Sequence, residues 1–298
     1  SIMTALNTGA DFDTIAKQTR APFNSLALLL EAQIYSDIYA SQSYEIDQRV
    51  LPSTPRPANV LEWSRRMFVD QVDTLISAAL TELPQCASMP LSSIAPILAD
   101  ADDALNAGFS VADFITVRAL DLLRPFAKSG NRQDSPLSSA HLIAAALQRH
   151  EADPSPLIRA YFSRLELDDT RGASRRELLK RDVDLFGDTD CGGAFLTQYC
   201  NELLADNPRR QYELLTDYIR RFPDARQGAQ VQSAIDYLRQ KQVSISFPSQ
   251  LLPDRPQKVT VKGRNIYDFY VLVYSIPSKT GDNCTVSTLL TSAKLIHA

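Results

Sequence analysis

The sequence predicts a mostly α-helical protein. An irregular, solenoid-like array of helical hairpins spans residues 1–241, and a short C-terminal β segment of sandwich type follows over residues 242–298. Three observations carry this. Up to about Gln240 the apolar residues fall at i, i+3 and i+4, the spacing that lines one face of a helix. From Val243 they alternate instead, with Val243, Ile245 and Phe247 inward against Ser244 and Ser246 outward, and Val259 and Val261 repeat the period of two. Between the helical stripes, cap residues and prolines recur where helices begin.

The first segment, to about Thr19, is weakly patterned. Leu26, Leu29, Leu30, Ile34 and Ile38 then predict a helix that stops near Ser41. Pro52 to Pro57 reads as a loop, and Asn59 with Glu62 three residues on reads as an N-cap and its returning acidic partner. The next helix is long, with a stripe of Phe68, Val72, Leu75, Ile76, Ala79 and Leu83 that is unbroken until Pro84, which lacks the N–H of a helix bond. Shorter helices fit Ser92 to Asn106 and Val111 to Leu123, separated by Gly108, with Ser110 and Asp113 as a capping box. Ser135-Pro136, Asp153-Pro154 and Asn207-Pro208 each place a cap residue before a proline at the first helical position, where its fixed φ is already helical. The resulting hairpins, roughly 30 to 40 residues each, have the spacing of tetratricopeptide-type solenoids, without a faithful internal copy of one unit in another. Pro208 to Phe222 and Gln227 to Gln240 are the last helices before the strands.

In the β segment, Pro248 to Pro256 makes a proline-punctuated reversal, and Gly263-Arg264-Asn265 makes a second break before the run Ile266 to Ile276. That run is apolar on both faces, Phe269, Val271 and Val273 against Tyr270, Leu272 and Tyr274, as in a strand covered by a second layer. Three or four strands are fewer than a sandwich needs, so an open edge and an exposed apolar face are expected unless something covers them. The candidates are the terminal segment Thr285 to Ile296, the last helix around Ile235 and Leu238, or a second copy of the chain; the first two are expected in the monomer.

The passage of a helix into VSISFPSQLLPDRPQKVTVKGRNIYDFYVLVYSI resembles the point in large bacterial alpha-macroglobulin-like proteins, of the Bacteroidetes type, where an amino-terminal helical region enters the first macroglobulin sandwich domain. SVADFITVRALDLL, Ser110 to Leu123, is similar to a helix start in the helical part of the same proteins, and the two stretches together span most of the chain. Both are built of capping and core residues and carry no catalytic signature. The resemblance implies a protein that is exported, periplasmic or outer-membrane associated, and a peptidase-trapping role for the whole polypeptide. The internal thioester of some family members needs a CxEQ-type motif, and none of the four cysteines here precedes Glu-Gln.

Composition bounds the alternatives. With 298 residues, 44% hydrophobic and 22% charged, the chain has room for two domains and lies outside the disordered and collagen-like classes. No run approaches the roughly 20 apolar residues of a membrane-spanning helix. No charged-then-apolar leader is read at Ser1-Ile2-Met3-Thr4, and cytoplasmic residence does not follow from that. A net charge of −4 argues against a nucleic-acid partner, which normally requires a basic surplus.

Few residues bear chemistry. His141 and His150 are half a turn out of phase on one helix and cannot share a metal there; surface or satisfied core positions are the expected reading. Cys86, Cys191, Cys200 and Cys284 include no CxxC pair. On one helix Cys191 and Cys200 would stand about 13 Å apart, beyond a disulfide's reach, although Gly192-Gly193 would allow a break; unpaired buried cysteines are expected. Asp184, Asp188 and Asp190 suggest a calcium loop, but Thr189 and Phe195 occupy the positions that need glycine and an acidic residue, which leaves a solvated acidic turn. Arg175, Arg176, Lys180 and Arg181, interleaved with Glu177, Asp182 and Asp184, read as a solvated face with i,i+4 pairing. Trp63, Tyr212, Tyr218 and Tyr237 would line a peptide or glycan groove or, more often, pack between helices. With no GxSxG, HExxH or phosphate-cradling glycine loop, no residue is assigned to catalysis, a cofactor or a metal, and no binding residue is assigned.

Two functions are therefore expected. One is a non-catalytic amino-terminal region of a cell-envelope alpha-macroglobulin-like protein, whose partners are downstream domains of the same polypeptide and, by resemblance, peptidases or an envelope protein. The other is a free-standing helical-repeat adaptor that binds a peptide, glycan or partner protein on a concave face.

Overall fold

A computed structural model describes residues 2–49, 57–98, 108–127, 137–153, 156–246, 258–266, 268, 270, 273–275 and 294–297. The protein is mostly helical. It divides into two compact units, Ser1–Gln230 and Val231–Ala298.

The first unit opens with α1 (Ile2–Gln18), a helix over the stretch that reads as weakly patterned in sequence. Its partner is α2 (Phe23–Asp47), which continues past Ser41 through a kink at Gln42 (φ −130°, ψ 20°), so the expected stop is a bend. Asn59 does act as a cap, with its Oδ1 accepting from Leu61 N at 3.0 Å, but it opens a single 3₁₀ turn, Val60–Glu62. The long helix α3 (Arg65–Thr81) begins after it, at Ser64. Phe68, Val72, Leu75, Ile76 and Ala79 are all buried on its inner face. Removing a large apolar side chain of this kind from water contributes about 1.5–3 kcal/mol. The helix ends before Pro84, which sits in the one-turn helix α4 (Leu83–Cys86). Where an α-helix from Ser92 is expected, Leu91–Ile97 is 3₁₀, with Pro96, which has no N–H to donate, inside it; residues 99–107 lie outside the described residues.

Next come α5 (Val111–Ala127), α6 (Ser139–Arg149), α7 (Pro156–Asp169), α8 (Gly172–Phe186), α9 (Gly193–Leu203) and α10 (Pro208–Arg221), and then α11 (Gly228–Arg239), most of which belongs to the second unit. The Ser110–Asp113 capping box is present in full. Ser110 N donates to Asp113 Oδ2 at 3.0 Å, and Asp113 N donates to Ser110 Oγ at 3.2 Å. Asn207 caps α10 by accepting from Arg210 N at 3.1 Å, with Pro208 at the first position. Asp153 does not cap α7, which starts at Pro156, and its carboxylate is instead held by His150. Ser135-Pro136 lies outside the described residues.

Among the described residues of this unit two hydrophobic cores form. The larger gathers α2, α3, α5 and α6 around Tyr39, Phe68, Ile76, Ile115 and Leu122. Its aromatic centre is close-packed: Tyr39 stacks on Phe126 at 4.4 Å between centroids, and Trp63 lies 5.4 Å from Tyr35 and 5.3 Å from Phe68. The smaller joins α7, α8 and α9 through Leu167, Leu179, Phe186 and Phe195. Helix α7 serves both, with Ile158 and Phe162 in the larger core and Ala160 and Leu167 in the smaller. At 100° per residue these pairs fall on opposite faces of the helix.

In the second unit β1 (Gln242–Ser246) pairs antiparallel with β2 (Thr260–Arg264), Val243 opposite Gly263 and Ile245 opposite Val261. A second ladder pairs β3 (Val273–Ser275) with β4 (Lys294–His297), so the terminal segment does add a strand. The alternation from Val243 is present, but its apolar side is not inward, since Val243 and Ile245 are 48% and 56% exposed. A two-stranded ladder carries no second layer of its own. β2 runs through Gly263, and the break comes at Asn265, whose φ of 57° is left-handed. Asn265 Nδ2 donates to the Leu238 and Gln240 carbonyls and Arg264 donates to the Tyr237 carbonyl, which closes the C-terminal end of α11. The expected strand Ile266 to Ile276 is realised over Val273–Ser275; Ile266, Asp268 and Tyr270 carry no strand and Tyr270 is 91% exposed, while Phe269, Val271 and Leu272 lie outside the described residues.

Candidate functional site

A dense polar cluster is built where the first turn of α5 meets the C-terminal end of α6. The capping box sets Asp113 at the third position of α5, and α6 ends in Arg149 and His150. A carboxylate at a helix N-terminus and cations at a C-terminus both oppose the local helix dipole, so the two ends attract through their side chains. His150 Nε2 lies 2.7 Å from Asp113 Oδ1, and His150 Nδ1 lies 2.5 Å from Asp153 Oδ2. Arg149 Nη2 donates to Asp113 Oδ1 at 3.3 Å and to Thr116 Oγ1 at 3.0 Å, while Ser110 Oγ donates to Asp113 Oδ2 at 2.7 Å. Phe162 of α7 stacks over the imidazole at 6.1 Å.

Asp113 is fully buried. Burial alone would raise its carboxyl, but hydrogen bonds from His150 and Ser110 outweigh that and hold it below the usual carboxylate range. The Asp113 hydrogen bond, joined by Asp153 and opposed by burial, raises His150 above the ordinary imidazole range. When protonated, the His150 ring donates both of its protons to carboxylates, which leaves neither nitrogen with a lone pair for a metal or a substrate proton. Chemically the cluster is a charged clasp between two helix ends.

The other singled-out residues fall in different places. His141 is exposed on α6, and Cys86, Cys191 and Cys200 are free and buried; Cys284 lies outside the described residues. Burial pushes the Cys200 thiol up to about 11, away from the reactive thiolate. The acidic turn after α8 is tied down: Asp188 pairs with Arg221, and the Asp190 carbonyl accepts from Tyr218 Oη at 3.0 Å. Gly192 is obligatory there, because a Cβ would stand 2.2 Å from the Phe186 carbonyl oxygen. Among the described residues no group of three or more His, Cys, Asp or Glu side chains is placed to hold a metal.

The basic cluster on α8 meets the expectation in part. Arg176, Lys180 and Arg181 are exposed and Arg181 pairs locally with Asp182 at 2.7 Å, but the other ion pairs link helices in place of i,i+4 neighbours: Arg175 reaches Glu202 of α9 at 2.8 Å, and Arg181 also reaches Glu166 of α7 at 2.8 Å. The reason is that α8 lies between α7 and α9, so its guanidinium groups find carboxylates across the interface. Of the aromatic residues, Trp63 and Tyr218 are buried in packing, the Trp63 indole donating to the Pro57 carbonyl at 2.8 Å. Tyr212 is exposed, and Tyr237 lies under the Arg264 guanidinium at 4.3 Å.

Comparison with known protein families, curated proteins and solved structures finds no match for this chain. Among the described residues no helix is long and apolar enough to cross a membrane.

Proposed function

We propose that this chain is a non-catalytic, helical amino-terminal region that leads into a macroglobulin-like sandwich, within a cell-envelope alpha-macroglobulin-like protein that traps peptidases. The observation that carries the reading is the β1–β2 ladder. Val243, Ile245 and Val261 stand on one face, with Val259 two residues before, while Gln242, Ser244, Lys262 and Arg264 occupy the other. A sandwich strand pair would have such unlike faces, and the exposure of Val243, Ile245 and Val259 supports the reading that a second sheet covers the apolar one. In this reading the helices act as a rigid platform, and sandwich domains of the same polypeptide supply the cover and the trap.

The reading is tested with a peptidase and two substrates, one a large protein and one a short peptide. The encoded polypeptide with its macroglobulin-like domains is expected to suppress cleavage of the large substrate and spare the small one. This chain by itself is expected to leave both unchanged. Stoichiometric inhibition by this chain alone, or an encoded polypeptide without repeated sandwich domains, overturns the reading.

A further inference from the structure

A buried acid lies beneath the first helix. In the run Leu26 to Ile34 the one charged residue, Glu31, is 7% exposed, and its Oε2 makes no hydrogen bond. The backbone of α1 passes over it at Gly9, where a Cβ would meet Glu31 Cγ at 3.7 Å and Ile34 Cδ1 at 3.5 Å. Helix α1 packs against α2, and the approach of Gly9 to Glu31 is part of that interface. Asp13 and Lys17, both on α1 and paired with each other, are the charged groups whose field reaches Glu31. On the other helices packed against α2, Arg118 of α5 donates to Gln33 Oε1 at 3.0 Å, Asp121 and Arg124 of α5 face each other at 3.2 Å, Arg65 and Arg66 of α3 face Asp47 and Asp70, and Asp73 of α3 is buried.

We propose that Glu31 is a pH-sensitive latch for α1, which holds the helix on α2 while the carboxyl is protonated and loosens it as the carboxyl ionises. An ionised carboxylate in that position loses water, gains no hydrogen bond at Oε2 and faces the negative Asp13. Burial, with Asp13 adding to it and Lys17 opposing, raises Glu31 to about 7. Once α1 leaves, the side chain returns to water and to its ordinary value of ~4.3. The acid is therefore raised in the docked state. Docking is strongest below ~4.3, weakens as pH rises from there, and reaches its weakest value once pH passes about 7.

Between pH 5.5 and 8.0 these two values predict a fall of roughly thirty-fold in the docking equilibrium. The test is amide hydrogen exchange on the full chain, with protection factors for α1 compared with those for α5 across that range. In the wild type, α1 protection is expected to fall roughly thirty-fold while α5 is unchanged. Glu31→Gln is expected to keep α1 protected at the acidic level at every pH, and Asp13→Asn to move the wild-type midpoint down. A carboxyl-carbon NMR titration of Glu31 in the wild-type chain reads the latch directly, with a midpoint near 7 expected. A midpoint near ~4.3, an equal fall in Glu31→Gln, or a parallel fall in α5 overturns the proposal.

Discussion

Asp113, beside the larger core, and Asp182, beside the smaller one, are both fully buried, yet their carboxyls move in opposite directions. Asp113 accepts hydrogen bonds from Ser110, Arg149 and His150 on both oxygens, and those from His150 and Ser110 outweigh burial to depress it. At Asp182 burial dominates and raises the carboxyl, because Arg181 reaches Oδ1 at 2.7 Å while Oδ2 has no hydrogen-bond partner. Burial fixes the cost of each charge, and the number of donors brought to it decides the sign. In the first region two helix ends converge and supply those donors. In the second, one arginine is shared with Glu166.

That contrast makes Asp113→Ala the most damaging change. It removes the acidic half of the α5 capping box and leaves the His150 imidazolium buried with one carboxylate, at a cost of about 3–5 kcal/mol, read from the denaturant midpoint. A cost below about 1 kcal/mol would remove the distinction between the two aspartates. His150→Gln comes next, losing about 1.5–3 kcal/mol near pH 5.5 as two charge-assisted hydrogen bonds go.

Its pH profile sharpens the point. His150 is raised in the fold, so its contribution is complete below ~6.5 and is lost as pH climbs through the higher folded value. Asp113 is depressed, so its contribution is complete above ~3.9 and is lost as pH falls through the lower folded value. The difference between wild type and His150→Gln should therefore be greatest between about pH 4 and 6.5 and should shrink on the alkaline side.

In the second region Tyr218→Phe removes the hydrogen bond to the Asp190 carbonyl and should cost about 0.5–1.5 kcal/mol, with hydrogen exchange quickening in the turn before α9 and leaving α5 unaffected. The smallest effect is expected at Asp182→Asn, about 1 kcal/mol or less, because the carboxylate it removes is poorly compensated. Asp182 is raised in the fold, so wild type should gain on this variant as pH drops through the raised value toward ~3.9. A loss at Asp182→Asn as large as at Asp113→Ala would mean that donor count does not decide the sign.

Half of the Asp113 clasp is legible in the sequence. Ser110 and Asp113 stand three residues apart, and the capping box follows from that spacing alone. His150 reads there as a surface or satisfied core histidine, and satisfied is what it is, but its partner lies 37 positions away. Asp153 reads as a cap because it precedes a proline; a charged imidazole is the stronger claimant for its carboxylate. Glu31 leaves a signal that a pattern of apolar residues passes over, a single acid inside LALLLEAQI. The same stripe places Leu30 inward, whereas it is 45% exposed and Glu31 takes the buried side, under α1.

What the sequence by itself determined is the local chemistry. The helical spacing of α3 and α5, the caps at Ser110 and Asn207, and the alternation at Val243 and Ile245 all arise within about four residues along the chain, where backbone geometry alone fixes the neighbours. Only the tertiary structure decided which charges face one another and which apolar faces find a cover. The pairing of Asp113 with His150, of Arg175 with Glu202, and the burial of Glu31 beneath Gly9 depend on how helices far apart in sequence pack. The exposure of Val243 and Ile245 has the same origin: alternation states that a strand has two unlike faces, and packing alone determines which of them meets water.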